Sequence, residues 1–282
     1  MQGFSAIISA EDGGRTVKEY IKRFGLSATL IKRVKLGGIL RNGEAVTVRA
    51  ILDAGDRLEI VFPENKSEAI EPMDIPIEVL YEDEHILAVS KPANMPTHPS
   101  RGNSLPTLAN AVMGLYGGEM TFRAVNRLDR DTSGIVLIAK NQFSASRLAD
   151  EMKSGGFVKK YTAILCGVPC PEQGVIDAPI ERECEGSMRR VVREDGKRAI
   201  TEYRLISVRA DGNAVCELTL HTGRTHQIRV HMAHIGHPLV GDFLYGERGE
   251  GSYSLHACEL SFTHPISGER ITVRSRPPFE LE

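Results

Sequence analysis

No stretch of this 282-residue chain approaches ~18 uncharged apolar residues, the minimum for a helix that crosses a bilayer. Its first residues, MQGFSAIISAEDGGR, lack a basic flank followed by an apolar core. A secretory signal is therefore not expected, and the default address is the cytoplasm. The five cysteines, Cys166, Cys170, Cys184, Cys216 and Cys258, are odd in number and contain no C-x-x-C pair. That argues against a disulfide framework and a zinc ribbon, and reduced, structural thiols fit better. No G-x-G-x-x-G, P-loop or G-x-S-x-G segment occurs, so nucleotide cofactors and serine-esterase chemistry have no foothold.

What is present fits a globular protein. Hydrophobic residues make up 41% and charged residues 26%, which excludes a disordered tail, and the length suits two domains at about 150 residues each. The net charge of −2 does not mark the whole molecule as a nucleic-acid binder, but its distribution does. Between Arg15 and Arg41 stand eight basic residues, including Lys32, Arg33 and Lys35, against Glu19 alone, a local charge of +7. Val17, Tyr20, Ile21 and Phe24, then Leu30, Ile31 and Val34, recur at helical spacing, which predicts two short helices with basic outer faces. Gly25 is placed to end the first. A strand with an Asn42-Gly43 turn and alternating strands at 46–48 and 58–61 complete a helix-hairpin module over 1–62.

Residues 63–73 are polar, proline-bounded and without apolar periodicity, which marks a linker. From 74 to 282 a larger domain follows. Strands are predicted at 77–81, 86–90, 135–139, 158–165, 199–208, 214–221, 255–262 and 271–273, with one amphipathic helix at 142–153. So many strands with few intervening helices point to an α+β fold whose sheet is mixed and largely antiparallel, not doubly wound.

Three segments carry candidate chemistry. Asn126-Arg127-Leu128-Asp129-Arg130-Asp131-Thr132-Ser133-Gly134 sets carboxylates and guanidiniums on a loop before an apolar strand, where a scaffold can hold reactive groups exposed. A solvated, salt-bridged turn reads the same way on spacing alone. Lys159-Lys160-Tyr161 opens a strand, where Tyr161 is either sheet packing or, beside basic neighbours, a nucleic-acid contact. In the third, from Leu220 to Pro238, Thr225 can cap a helix that carries Arg229 and ends at Gly236. Its five histidines are spaced five, five, three and three apart. That does not match H-E-x-x-H, and no carboxylate on the helix completes a ligand set, so no metal is expected.

Together these segments resemble the RluA-type pseudouridine synthase family. The resemblance rests on R-L-D-x-x-T-S-G at 127–134, K-x-Y at 159–161, G-R-T-H-Q-I-R-V-H at 223–231 and G-H-P-L-V-G-D at 236–242, and it covers roughly residues 74 to 278. The first module resembles the RNA-binding domain named after ribosomal protein S-four. The resemblance implies the pseudouridine synthase fold and isomerisation of uridine in RNA. The bond from nitrogen 1 to the ribose is cut, the uracil rotates, and carbon 5 is joined in its place. It implies Asp129 as the catalytic carboxylate, acting as nucleophile or as base, with Arg229 as its partner and Tyr161 against the uracil. Arg127, Arg130 and Arg224, with Lys32, Arg33 and Lys35 of the first module, are expected to hold RNA phosphates. Asn126 stands where the family commonly has histidine. No cofactor is required, and a monomer acting on ribosomal RNA, with transfer RNA as the other candidate, is expected. A non-catalytic RNA-binding or ribosome-assembly factor is the alternative.

Overall fold

In the computed structural model, residues 3–23, 31, 34, 38–61, 70–99, 106–246 and 253–282 are described. Near the N-terminus β1 (Gly3–Ile7), β2 (Ile39–Arg41), β3 (Glu44–Ala45) and β4 (Arg57–Val61) form a four-stranded antiparallel sheet in the order β1-β4-β2-β3. The helix α1 (Val17–Arg23) starts at a capping box. Thr16 Oγ1 accepts the Glu19 amide, and the Glu19 carboxylate accepts the Thr16 amide. Val17, Tyr20, Ile21, Leu58 and Ile60 form its buried core, against which Phe143 and Ile266 also pack.

The sequence predicts strand at 46–48, but the chain turns there. The carbonyls of Val48 and Ala50 accept the amides of Lys18 and Val17, so this segment caps the first turn of α1 instead of extending the sheet. Of the second predicted helix, Ile31 and Val34 are helical and buried. Lys32, Arg33 and Lys35 lie outside the described residues.

The larger unit is one mixed sheet. Its strands are β5 (Glu78–Glu82), β6 (Ile86–Lys91), β7 (Ser133–Ala139), β8 (Val158–Leu165), β9 (Gln173–Asp177), β12 (Ile200–Val208), β13 (Ala214–Leu220), β14 (Leu255–Thr263) and β15 (Arg270–Arg274). They run in the order β5-β6-β7-β14-β8-β13-β12-β9, with β15 also on β14. Among the described residues every pairing is antiparallel except β7 with β14, as the scarcity of crossover helices predicts. A separate hairpin joins β10 (Ile180–Arg182) to β11 (Arg190–Val192).

The central strands are buried on both faces and alternate between two cores. Leu87, Val89, Val136 and Ile138 face one, and Ile86, Ala88, Ile135 and Leu137 face the other. The first core is closed by α2 (Leu108–Leu115) and α4 (Gln227–His234), the second by α3 (Gln142–Ser154) and the stacked rings of Phe157 and Phe262. Six of the eight residues of α2 are buried, so no polar stripe betrays it in the sequence.

The parallel seam fixes one glycine. Gly134 has φ +115°, and a Cβ there would lie 2.4 Å from the carbonyl oxygen of Ala257 on β14. Gly134→Ala should therefore cost at least about 2–3 kcal/mol from backbone strain and the clash. Urea denaturation measures this, and an unchanged midpoint would contradict the close approach described.

Candidate active site

The loop that precedes β7 is tied down at several points, through backbone groups of Leu128 and Arg130 and through the side chains of Asn126 and Thr132. Asn126 spans two groups of the strand: its Nδ2 donates to Ile135 O at 3.0 Å, and its Oδ1 accepts the Leu137 amide at 2.8 Å. Its role is thus to tie the loop to β7, which needs one donor and one acceptor and no proton transfer. The Thr97 hydroxyl donates to Leu128 O at 2.9 Å and accepts the Leu128 amide. The Thr132 hydroxyl meets that of Tyr253 at 3.1 Å.

Beneath the loop lies Lys91, fully buried. Its Nζ donates to Pro92 O, Met95 O and Arg130 O at 2.8, 2.7 and 3.0 Å. Three ammonium hydrogens meet three carbonyls. Burial brings its pKa down from 10.5 to about 7, with Asp131 and Asp129 working the other way.

Asp129 projects from this clamped loop into a cleft of about 190 Å³. Its side chain is 22% exposed, neither walled off nor dissolved in bulk water. Tyr161, Arg229, Arg127 and Arg224 line the same cleft, and Leu220, Ile228 and Leu255 supply apolar wall. Tyr161, on β8 between Leu218 and Ala257, is buried. Burial, and then the Asp129 charge, push its phenol well above the usual tyrosine range, so it stays protonated at neutral pH. Arg130 is brought close in sequence but not into the lining: its guanidinium chelates Asp131 at 2.9 and 3.1 Å.

Arg229 differs from expectation. Its fork does not grip Asp129. Nε and one terminal nitrogen each donate to Asp242 at 2.7 Å, and both side chains are buried, 4% and 0% exposed. Asp242 also accepts the Leu244 and Tyr245 amides, and the guanidinium lies between the rings of Tyr245 and Tyr253, 4.9 and 4.3 Å from their centroids. Asp242, fully buried, takes the Nε edge of the fork, and among the described residues no hydrogen bond from the remaining guanidinium hydrogens reaches Asp129. Burial opposes the charge, but the Asp242 hydrogen bonds prevail and hold Arg229 ionised. Its charge still acts on Asp129 through space.

Among the described residues the basic group nearest the Asp129 carboxylate is His226, whose Nε2 lies 3.9 Å from Asp129 Oδ2. It is the N-cap of α4, with φ +59° and no side-chain capping bond, where the sequence points to Thr225. The loop is fixed instead by Gln227, whose Oε1 accepts from the Thr222 hydroxyl and the Arg224 amide. His226 Nδ1 pairs with Tyr245 Oη at 2.8 Å, and burial lowers its pKa, with Asp129 opposing and Arg229 adding to the shift.

The remaining histidines of this segment are dispersed. His231 is buried between Thr201 Oγ1 and Ala178 O, His221 meets Glu202, and His237 meets Cys166 O. Among the described residues no group of three His, Cys, Asp or Glu side chains could hold a metal, and no helix is long and apolar enough to cross a membrane. Lys91, Tyr245 and Tyr253 support the cleft from behind and receive no role in the sequence reading, and His226 stands in the quoted 223–231 motif without one. Asp242 stands in a quoted motif but receives no role there.

The family model for RNA pseudouridylate synthase matches residues 85–234. The chain belongs to this family. It is 40% identical over 274 residues to the RNA pseudouridine synthase YjbO of Bacillus subtilis, covering 94% of this chain and 96% of the relative. It is 37% identical over 269 residues to the ribosomal large subunit pseudouridine synthase D of Xanthomonas campestris, covering 88% and 80%. The solved structure of human RNA pseudouridylate synthase domain containing 1 superposes with a TM-score of 0.62 at 28% identity, over 73% of this chain and 85% of the human one. This RluA-type enzyme is an RNA pseudouridine synthase, an isomerase whose substrate is RNA.

Two outcomes test the geometry. Asp242→Ala strands a buried guanidinium and should cost about 3–5 kcal/mol in urea denaturation; a loss below 1 kcal/mol would contradict the pairing. For Lys91, the unfolded chain holds a proton between about pH 7 and 10.5 that the folded chain has released, so stability rises with pH across that window. The stability gap between wild type and Lys91→Met should accordingly widen from pH 7 to pH 9, and a constant gap would remove the buried amine from the account.

Proposed function

We propose that the enzyme isomerises a uridine of large-subunit ribosomal RNA, with Asp129 as the catalytic carboxylate. The observation that carries this reading is the pose of Asp129, partly open to a cleft whose other walls are Tyr161, Arg229 and apolar side chains. A stacked uridine hides its glycosidic bond, so it must be extruded at a cost of a few kcal/mol. The cleft offers the extruded base an aromatic ring from Tyr161 and the apolar surface of Leu220, Ile228 and Leu255. Asp129 then acts on the ribose or the uracil, as nucleophile or as base.

Arg229 serves as a fixed positive charge behind the carboxylate, held in place by Asp242 on its Nε edge and acting on Asp129 through space. The buried phenol of Tyr161 is protonated at rest and is suited to holding the detached ring, and its hydroxyl can relay the carbon 5 proton, accepting it as its own proton passes to a water. Arg127 and Arg224 at the rim, with Arg130 beside them, grip flanking phosphates. The module at residues 1–62, joined by the linker at 63–73, adds affinity through its +7 segment by counterion release. The enzyme works without a cofactor, as a monomer, in the cytoplasm where ribosomal RNA is made. Large-subunit RNA is supported by the relatives named for it. No observation favours RNA adhesion without catalysis.

Transcripts tritiated at carbon 5 of uridine should release tritium with the wild-type enzyme and not with Asp129→Ala. Arg229→Lys should lose at least about 100-fold in rate, since an ammonium cannot reproduce the bidentate contact. Mapping pseudouridine in total RNA, with and without the gene, identifies the target. A change confined to transfer RNA would displace the ribosomal assignment, and undiminished release by Asp129→Ala would displace the catalytic one.

A further inference from the structure

A second concave basin of about 220 Å³ adjoins the catalytic cleft and shares Gly223, Arg224 and Thr225 with it. Its other walls are Ile180, Glu181 and Arg190 of the β10–β11 hairpin, with Lys197 just beyond. Three cations therefore face one carboxylate. The Arg190 Nε atom is buried with no hydrogen-bond partner among the described residues. A guanidinium nitrogen withdrawn from water and left without an acceptor is costly unless an acceptor arrives. Lys197 is exposed and forms no ion pair among the described residues.

The hairpin is also fixed relative to the reacting groups. The Arg190 amide donates to Tyr245 Oη at 2.8 Å, the same hydroxyl that pairs with His226, and the Arg189 guanidinium lies 5.9 Å from the Tyr245 ring. Arg224, on the ridge between the two hollows, is anchored by its Nε on Arg198 O at 2.9 Å. Its terminal nitrogens are left to meet an anion. The basin is thus basic, polar, preorganised and one ridge away from the cleft that admits the uridine.

We infer that this basin is a phosphodiester subsite, taking the backbone phosphate of a nucleotide flanking the target uridine between Arg190, Lys197 and Arg224. This rests on the isomerase reading above and adds to it where the strand must run, over the 223–225 ridge and against the β10–β11 hairpin. A phosphate oxygen would satisfy the orphaned Arg190 Nε as the paired carboxylates satisfy other guanidiniums of this protein. Glu181 beside the basin disfavours a dianionic terminal phosphate and suits a singly charged diester.

The test is a cycle between protein charge and RNA charge. Arg190→Gln/Lys197→Gln and wild type are compared on a substrate RNA and on versions in which one phosphate at a time, three on each side of the uridine, becomes an uncharged methylphosphonate. KM for tritium release and Kd from fluorescence anisotropy are both measured. The double substitution should raise KM and Kd about tenfold, leave kcat within twofold, and flatten the salt dependence of binding by about one to two charges. One methylphosphonate should weaken wild type by a similar factor and leave the double variant unaffected. Additive losses at all six positions, or an unchanged Kd for the double variant, would overturn the subsite. Dimethyl phosphate, a singly charged diester, should compete with RNA on the wild type and not on the double variant, and equal competition on both would count against the basin as the anion site. If wild type binds but never isomerises, the function fails, while the Kd cycle still decides the basin.

Discussion

A guanidinium taken out of water is tolerable only when its hydrogen bonds and its charge are both answered, and Arg229 meets that condition through Asp242. The pair is dry, bidentate and stacked between two tyrosine rings. Because breaking such a pair leaves an uncompensated ion, the surrounding chain is constrained to keep α4, the 242–245 turn and Tyr253 in one arrangement. With its Nε edge turned to Asp242, Arg229 makes no hydrogen bond to Asp129 among the described residues. Its effect there is electrostatic, and a fixed field needs no reorganisation when charge moves during the reaction.

Asp129 gains its definition in a complementary way. The loop that carries it is held by Asn126, Thr97 and the buried amine of Lys91, while among the described residues its own side chain makes no hydrogen bond and has His226 3.9 Å away. Rigid support with a free reactive end is what precise placement requires. It also explains why asparagine serves at position 126: the task there is to bridge a carbonyl and an amide of β7, and no protonation change enters it.

Much of this was legible in the sequence because the signals were local. Short continuous apolar runs at 86–90 and 135–139 mark the central strands, the scarcity of helices marks the antiparallel character, and Arg127, Asp129, Tyr161, Arg224 and Arg229 do line one cleft. What escaped was non-local or without period. The α2 helix is apolar nearly all round, β1 pairs with a strand fifty residues or more away, and the segment predicted as strand at 46–48 turns so that Val48 O and Ala50 O cap a helix. The partner of Arg229 was misjudged because charge pairing is decided by burial, and burial of Asp242 is a tertiary fact. Lys91 and Tyr245 carry no sequence mark at all, since a lysine that will be buried reads like any other.

The position of β14 between β7 and β8 bears on how the protein is made. During synthesis from the N-terminus, both flanking strands leave the ribosome long before residue 255, and each then presents an unpaired hydrogen-bonding edge with an apolar face. The middle of the sheet is filled late, so the nascent chain carries two apolar strand edges until residue 255 emerges. Tyr253, which flanks Arg229, arrives with that same late segment. A product truncated before it therefore lacks one of the two rings against Arg229, and chaperone demand should fall on the interval between emergence of β8 and emergence of β14.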